Sequence, residues 1–213
     1  MEVWVSDGVQ DVFYAATTMN LLSVDSVATN HISVRHLGDP SVQWSLGAVR
    51  AEAFVPLYRS STAEPMNAEL YSGLWDVVSR NSPQLINDFI SSQNPAPAIA
   101  SALSAYLLRF PEFNRGLGSI DRALLGAGTT KMSKASRTVG SAMALGEPVN
   151  DRIDDVILFK RLVELAEVRP DPWFKLEGDV QTMRGCSAQI TESGQDARST
   201  FSVRLLSTVH SES

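Results

Sequence analysis

AELYSGLWDVVSRNSPQLINDFI, residues 68–90, is where the apolar period of this chain changes. Leu70, Leu74, Val77 and Val78 recur at three and four residues, and Leu85, Ile86, Phe89 and Ile90 repeat that spacing after Pro83. Such spacing predicts two short amphipathic helices, the second after Pro83. The next segment, AIASALSAYLL from about Pro97 to Leu108, predicts a third helix stopped by Pro111. A fourth is expected to start with Ser119 as N-cap before IDRALLGA. A further helix is expected over 149–168, with Pro148 and Asn150 as entry signals. Asp151, Asp154 and Asp155 crowd its first turns, where the helix dipole favours negative charge, Lys160 and Glu164 lie one turn apart, and Pro170 and Pro172 stop it.

On either side the pattern differs. The first 60 residues are rich in Val, Thr, Ser and aromatics, with strand-like runs at Val3–Val5, Asp11–Ala16, Ile32–Leu37 and Val42–Val49, punctuated by Gly8, Gly38-Asp39-Pro40 and Pro56. Residues 61–68, STAEPMNA, read as a linker. After Trp173 the sequence is again mixed and partly strand-like, FKLEGDVQTMRGCSAQI and then STFSVRLLSTV. The expected class is α+β: a strand-rich arm or small β region over 1–66, a mainly helical core over 67–169 containing a basic loop at 126–140, and a mixed tail over 170–213.

Composition sets the chemistry. The chain has 213 residues, is 44% hydrophobic and carries a net charge of -6. From Arg109 to Arg137, six basic residues face two acids, so this short stretch is +4 and the remainder about -10. Fourteen of the 18 basic residues are arginine, which suits bidentate pairing with carboxylate or phosphate. The single cysteine, Cys186, cannot form an intrachain disulfide or a thiolate zinc site alone, which fits a reducing compartment. MEVWVSDG lacks the basic-then-apolar pattern of a secretory signal, and no apolar run approaches the roughly 20 residues of a membrane span. The expectation is therefore a cytoplasmic or virion protein without membrane insertion.

Residues 126–140, GAGTTKMSKASRTVG, set Lys131, Lys134 and Arg137 among Gly, Ser and Thr. A polyanion needs cations spaced along a backbone, small residues permitting close approach, and hydroxyl or amide donors; this stretch supplies all three. Arg115 and Arg122 are supporting cations. The same composition also describes a solvated connection between helices. Arg152 with Asp154 and Asp155 is a candidate structural ion pair, or else a set of charges compensating a helix dipole. His31 and His36 are five apart and point to opposite faces of a straight strand, so no metal site is expected from them. No cofactor and no catalytic residue emerge, and Cys186 has no nucleophile context around it. Gly116-Leu-Gly118 marks a turn, and the four tryptophans, Trp4, Trp44, Trp75 and Trp173, are core or interface anchors.

Two resemblances bear on the basic stretch. Lys131-Met-Ser-Lys-Ala135 resembles the KMSKS loop of class I aminoacyl-tRNA synthetases, which implies lysines holding the phosphates of an activated nucleotide. The HIGH signature that accompanies that loop is absent, since His31 is followed by Ile-Ser and His36 by Leu-Gly-Asp. Arg109-Phe-Pro111, Ala123-Leu-Leu-Gly-Ala127 and Arg152-Ile-Asp-Asp155 occur in the order of segments similar to them in tobamovirus coat proteins. That resemblance implies helices flanking an inner loop whose basic residues hold genomic RNA, and self-association into an oligomer.

The leading expectation is thus a noncatalytic assembly protein, coat or nucleocapsid-like, whose Lys131, Lys134 and Arg137 contact RNA phosphates. The alternatives are a small nucleotide-binding enzyme or module using the KMSKA stretch, and a host-interaction protein with no ligand there.

Overall fold

Parallel strands cannot be joined by a tight turn, so the pairing of β1 (Glu2–Val5) with β2 (Ser33–His36) demands a crossover, and α1 (Val9–Val24) provides it. The computed structural model describes residues 1–24, 31–37, 49–114, 116–145 and 151–209. The chain divides into two units: Met1–Leu108 with Pro148–Arg152, and Arg109–Glu147 with Ile153–Ser213. The class is α+β, with an N-terminal strand and mainly helical content.

In the first unit β2 pairs antiparallel with β3 (Ala63–Pro65), giving the sheet order β1-β2-β3. The expected strands at Val3–Val5 and Ile32–Leu37 are present as β1 and β2. Asp11–Ala16 is helical, because Val9, Val12, Ala15, Ala16 and Met19 are buried at helical spacing on α1. The Ser6 hydroxyl closes the β1–α1 turn, donating to Asp11 Oδ2 at 2.5 Å and accepting from the Gly8 amide at 3.1 Å. The strand expected at Val42–Val49, the turn at 38–40, Trp44 and the entry signals Pro148 and Asn150 lie largely or wholly outside the described residues.

Three helices complete this unit, α3 (Ala68–Ser79), α4 (Pro83–Gln93) and α5 (Pro97–Leu107), following α2 (Ala51–Ser60). Asn67 caps α3 by accepting from the Leu70 amide at 3.0 Å, and Ser82 with Pro83 begins α4. Asn81 and Asn94, both at positive φ, end α3 and α4. Leu74, Ile86, Ile99 and Leu103 are fully buried with Val5 and Val12. The segment expected to act as a linker, 61–68, contains β3, which pairs with β2, and α1 packs against α3. The strand-rich part and the first three core helices therefore share one unit instead of meeting at residue 66.

The second unit runs α6 (Ser119–Ala127), β4 (Ser133–Lys134), α7 (Ala135–Leu145), α8 (Asp155–Glu167), β5 (Phe174–Gly178), β6 (Cys186–Ile190) and α9 (Glu192–Val209). Its sheet is antiparallel with order β4-β6-β5. Leu124, Leu125, Val139, Leu158, Leu162, Leu165, Phe174 and Ile190 form its core. Phe174, Cys186, Ala188 and Ile190, in the stretch expected as a mixed tail, thus belong to the same core as α6 to α8. Ser119 is the first residue of α6 with Gly118 as N-cap, so the helix starts one position earlier than expected. The helix expected over 149–168 begins at Asp155, because the Asp154 carboxylate caps it, accepting from the Val156 amide at 2.9 Å. STFSVRLLSTV, read as part of a mixed, partly strand-like stretch, lies in α9.

Candidate phosphate-binding surface

Gly126–Gly140 is only partly a loop. After α6 ends at Ala127, residues 128–132 form the connection, Ser133–Lys134 are β4, and α7 starts at Ala135. Two contacts fix the connection on the sheet: the Ile190 amide donates to Thr129 O at 2.9 Å, and Gln189 Nε2 donates to Thr130 O at 2.8 Å. Thr129 Oγ1 donates to Lys131 O at 2.8 Å. Gly128 is buried against Ile190 and Phe174, where an added Cβ would meet side-chain atoms at 3.0–3.1 Å. Small residues here serve close packing of the connection.

Lys134 pairs in register with Ser187 on β6, which faces Glu177 on β5. Opposed residues in an antiparallel sheet share a face. Lys134, Ser187 and Glu177 therefore lie on one side, while Cys186, Ala188 and Ile190 alternate into the core. Lys134 Nζ reaches the carbonyl oxygen of Arg184 at 3.4 Å, across 50 residues of sequence. Arg184 belongs to the turn between β5 and β6. That turn is braced internally: Asp179 accepts from the Gln181 amide and the Thr182 hydroxyl at 2.9 and 3.1 Å, and Thr182 Oγ1 accepts from the Gly185 amide at 3.2 Å.

Lys131, Lys134, Arg137 and Arg184 are all exposed, and none forms an ion pair among the described residues. Three other cations of this unit are engaged. Arg161 binds Asp121 and Glu164, Lys175 binds Glu177 at 2.9 Å, and Arg198 Nη1 donates to Gly128 O at 3.2 Å. Arg122, expected as a supporting cation, is half-buried, and its Nη2 donates to Asn114 Oδ1 at 2.5 Å and Asn114 O at 3.3 Å. Its guanidinium clamps the turn before α6. Arg115 lies outside the described residues.

The acidic cluster resolves into separate roles. Asp154 is the N-cap of α8, and its carboxyl is held below the ordinary value by the Val156 amide and then by Asp155. Asp155 sits in the first turn and Asp151 is buried outside the helix. Arg152 belongs to the first unit, where its carbonyl accepts from Gln10 Nε2 at 2.9 Å. Cys186 is fully buried, and burial, then the charge of Asp179, pushes its thiol up while Lys134 pulls it down. A raised thiol pKa opposes thiolate formation, so Cys186 is no activated nucleophile. Among the described residues no group of three or more His, Cys, Asp and Glu side chains is arranged to hold a metal, and no helix is long and apolar enough to cross a membrane.

The sequence carried no signal for Arg184; only the β4–β6 pairing brings it to Lys134. No family model, no curated protein and no solved structure matches this chain.

Proposed function

We propose that this is a noncatalytic nucleic-acid-binding protein whose second unit contacts backbone phosphates through Lys131, Lys134, Arg137 and Arg184. The observation that carries the reading is the contact of Lys134 Nζ with the Arg184 carbonyl, which joins the hairpin turn to the strand leading into α7. It ties Lys134 to the backbone of Arg184, and neither side chain has a carboxylate partner among the described residues. The two units also differ in charge. The first has five basic and eleven acidic residues, and the second has thirteen of each. The whole net charge of -6 thus resides in the first unit, and a polyanion approaching the second meets no net repulsion from that unit.

The connectivity of helix, strand, two helices and hairpin, with the second hairpin strand central, is by analogy that of a winged helix-turn-helix, a nucleic-acid-binding architecture. The exposed positions of α8 are Val156, Ile157, Lys160 and Glu167, a poor set for reading base edges. Phosphate contact without sequence readout is therefore the binding mode, and an RNA-coating role is its assembly form.

Four phosphate contacts give a log–log salt slope of about -3 on single strands and about -4 on duplex. Fluorescence anisotropy with labelled single-stranded RNA and with duplex DNA, over a salt series, measures it. Changing Lys131, Lys134 and Arg137 together to Glu abolishes measurable binding at moderate salt, and Arg184→Glu alone weakens it while flattening the slope by about one unit. Unchanged affinity in the triple variant sinks the reading. Binding of a mononucleotide with magnesium but of no polynucleotide would favour the nucleotide-module alternative.

A further inference from the structure

β6 lies between β4 and β5, so the outer edge of β5 has no strand partner among the described residues. The hydrogen-bonding phase of the hairpin follows from its two ends: the Thr191 amide donates to Trp173 O at 3.0 Å and the Asp179 amide to Gly185 O at 3.3 Å. With the observed register, Lys175 and Glu177 bond inward to β6, and Phe174, Leu176 and Gly178 direct their amides and carbonyls at the open edge. An open edge of five residues is a template for another strand.

The sequence of β5, Phe-Lys-Leu-Glu-Gly, is self-complementary about its centre. A second copy related by a two-fold axis at Leu176 opposes Leu176 with Leu176, Phe174 with Gly178, and Lys175 with Glu177 twice. The residues whose backbone groups point outward are then the ones that meet as hydrogen-bonded pairs. The two Lys175–Glu177 pairs fall at the other kind of position, where side chains come closest. Within one copy Lys175 Nζ lies 2.9 Å from Glu177 Oε1, with 61% and 56% of the side chains exposed, so the partners are accessible for exchange. Beside the strand runs an open cleft of about 500 Å³ lined in part by Val163, Ala166, Leu176 and Val180, apolar surface that the opposing strand covers.

We propose that the protein forms a closed two-fold dimer through β5, joining two three-stranded sheets into one of six strands. The interface is isologous, so growth stops at two copies. This inference does not rest on the phosphate reading. It bears on that reading only by placing Lys134 of each copy toward opposite ends of the six-stranded sheet, five strand spacings or roughly 24 Å apart.

Sedimentation and light scattering of the full chain without nucleic acid test the dimer, and circular dichroism checks that each variant folds. The expected mass is twice the 23.2 kDa of one chain. Lys175→Glu sets acid against acid, and Glu177→Lys sets base against base; each alone weakens the dimer at least tenfold. Mixing these two variants restores it as a heterodimer, and the double variant carrying both changes restores it as a homodimer. A chain that stays monomeric into the hundred-micromolar range overturns the proposal. So does a dimer whose strength neither single change alters, or single variants that do not recover on mixing.

Discussion

Arg161 on α8 grips Asp121 on α6 with two hydrogen bonds, Nε to Oδ1 at 2.6 Å and Nη2 to Oδ2 at 2.8 Å. The carboxylate is nearly buried while the guanidinium is about 40% exposed and also reaches Glu164 at 2.9 Å. Two parallel bonds from a planar fork fix the orientation of two helices 40 residues apart, which a single lysine contact cannot do. Hydrogen bonding to Asp121, helped by Glu164, raises the guanidinium pKa against the opposing effect of burial, so Arg161 keeps its charge.

Removing one partner strands the other. Asp121→Ala is expected to lower stability by about 2 kcal/mol, less than for a fully buried pair because Arg161 can turn toward water. Arg161→Lys keeps the charge but loses the fork and should cost about half as much. Urea unfolding of both variants measures this; a midpoint within error of the parent for Asp121→Ala would show that the clamp contributes no net stability.

How far this architecture was legible follows from which interactions are local. α3 to α5 could be read because Asn67, Ser82, Pro83 and Pro97 punctuate them and their apolar residues recur at helical spacing. α1 could not: Val12-Phe-Tyr14 favours a strand locally, and its helical state comes from burying Val9, Val12, Ala16 and Met19 on one side, as the parallel β1–β2 crossover requires. At the candidate site, Lys131, Lys134 and Arg137 stood out by charge contrast alone. Arg184 enters through a strand pairing, and the engagement of Arg122 with Asn114 depends on the turn ahead of α6. Neither has a signature in the local sequence.

Burial holds the His36 imidazole below its ordinary value, against a smaller upward pull from Glu64. Its Nδ1 is buried with no hydrogen-bond partner among the described residues. A depressed folded pKa means that the unfolded chain takes up the proton first. The contribution is therefore fully present above the unfolded value near 6.5 and lost as pH falls through the folded value. Asp7 acts with the opposite sign: its carboxyl is raised chiefly by burial, so its contribution is present at low pH and lost as pH rises through the folded value. Between pH 7 and pH 5 the parent should lose more stability than His36→Gln does. Unfolding midpoints of the two proteins at those pH values make the comparison, and equal losses would remove His36 from the acid response.

Tyr71, on α3, is 2% exposed, and its hydroxyl has no hydrogen-bond partner among the described residues. Burial pushes its pKa up to about 12, so the group is a neutral phenol throughout the working range. A buried hydroxyl without a partner costs roughly 1–3 kcal/mol of desolvation. Tyr71→Phe removes the oxygen and keeps the ring, so it should be neutral or stabilise by up to about 1 kcal/mol, whereas Tyr71→Ala should cost about 3–4 kcal/mol through the cavity. A loss above about 1 kcal/mol for Tyr71→Phe in denaturant titration would mean that the hydroxyl bonds a water or another group.

Gly194 fixes the start of α9 by close approach. A Cβ at this position would lie 2.3 Å from the carbonyl oxygen of Trp173 and 2.8 Å from Ile190 Cγ1. The backbone there is already committed, since the Thr191 amide donates to that same Trp173 oxygen at 3.0 Å and Thr191 Oγ1 accepts from the Gly194 amide at 3.1 Å. Neither the carbonyl nor the helix can retreat without breaking those bonds. Gly194→Ala is therefore expected to destabilise the second unit by about 1–3 kcal/mol, although alanine is the better helix former. Thr191→Val, which without a clash removes a hydroxyl that accepts from the Gly194 amide and donates to Pro172 O at 2.6 Å, should cost about 1–2 kcal/mol. Thermal unfolding of the two variants separates the effects: if Gly194→Ala raises the melting temperature, helix propensity outweighs the contact with Trp173.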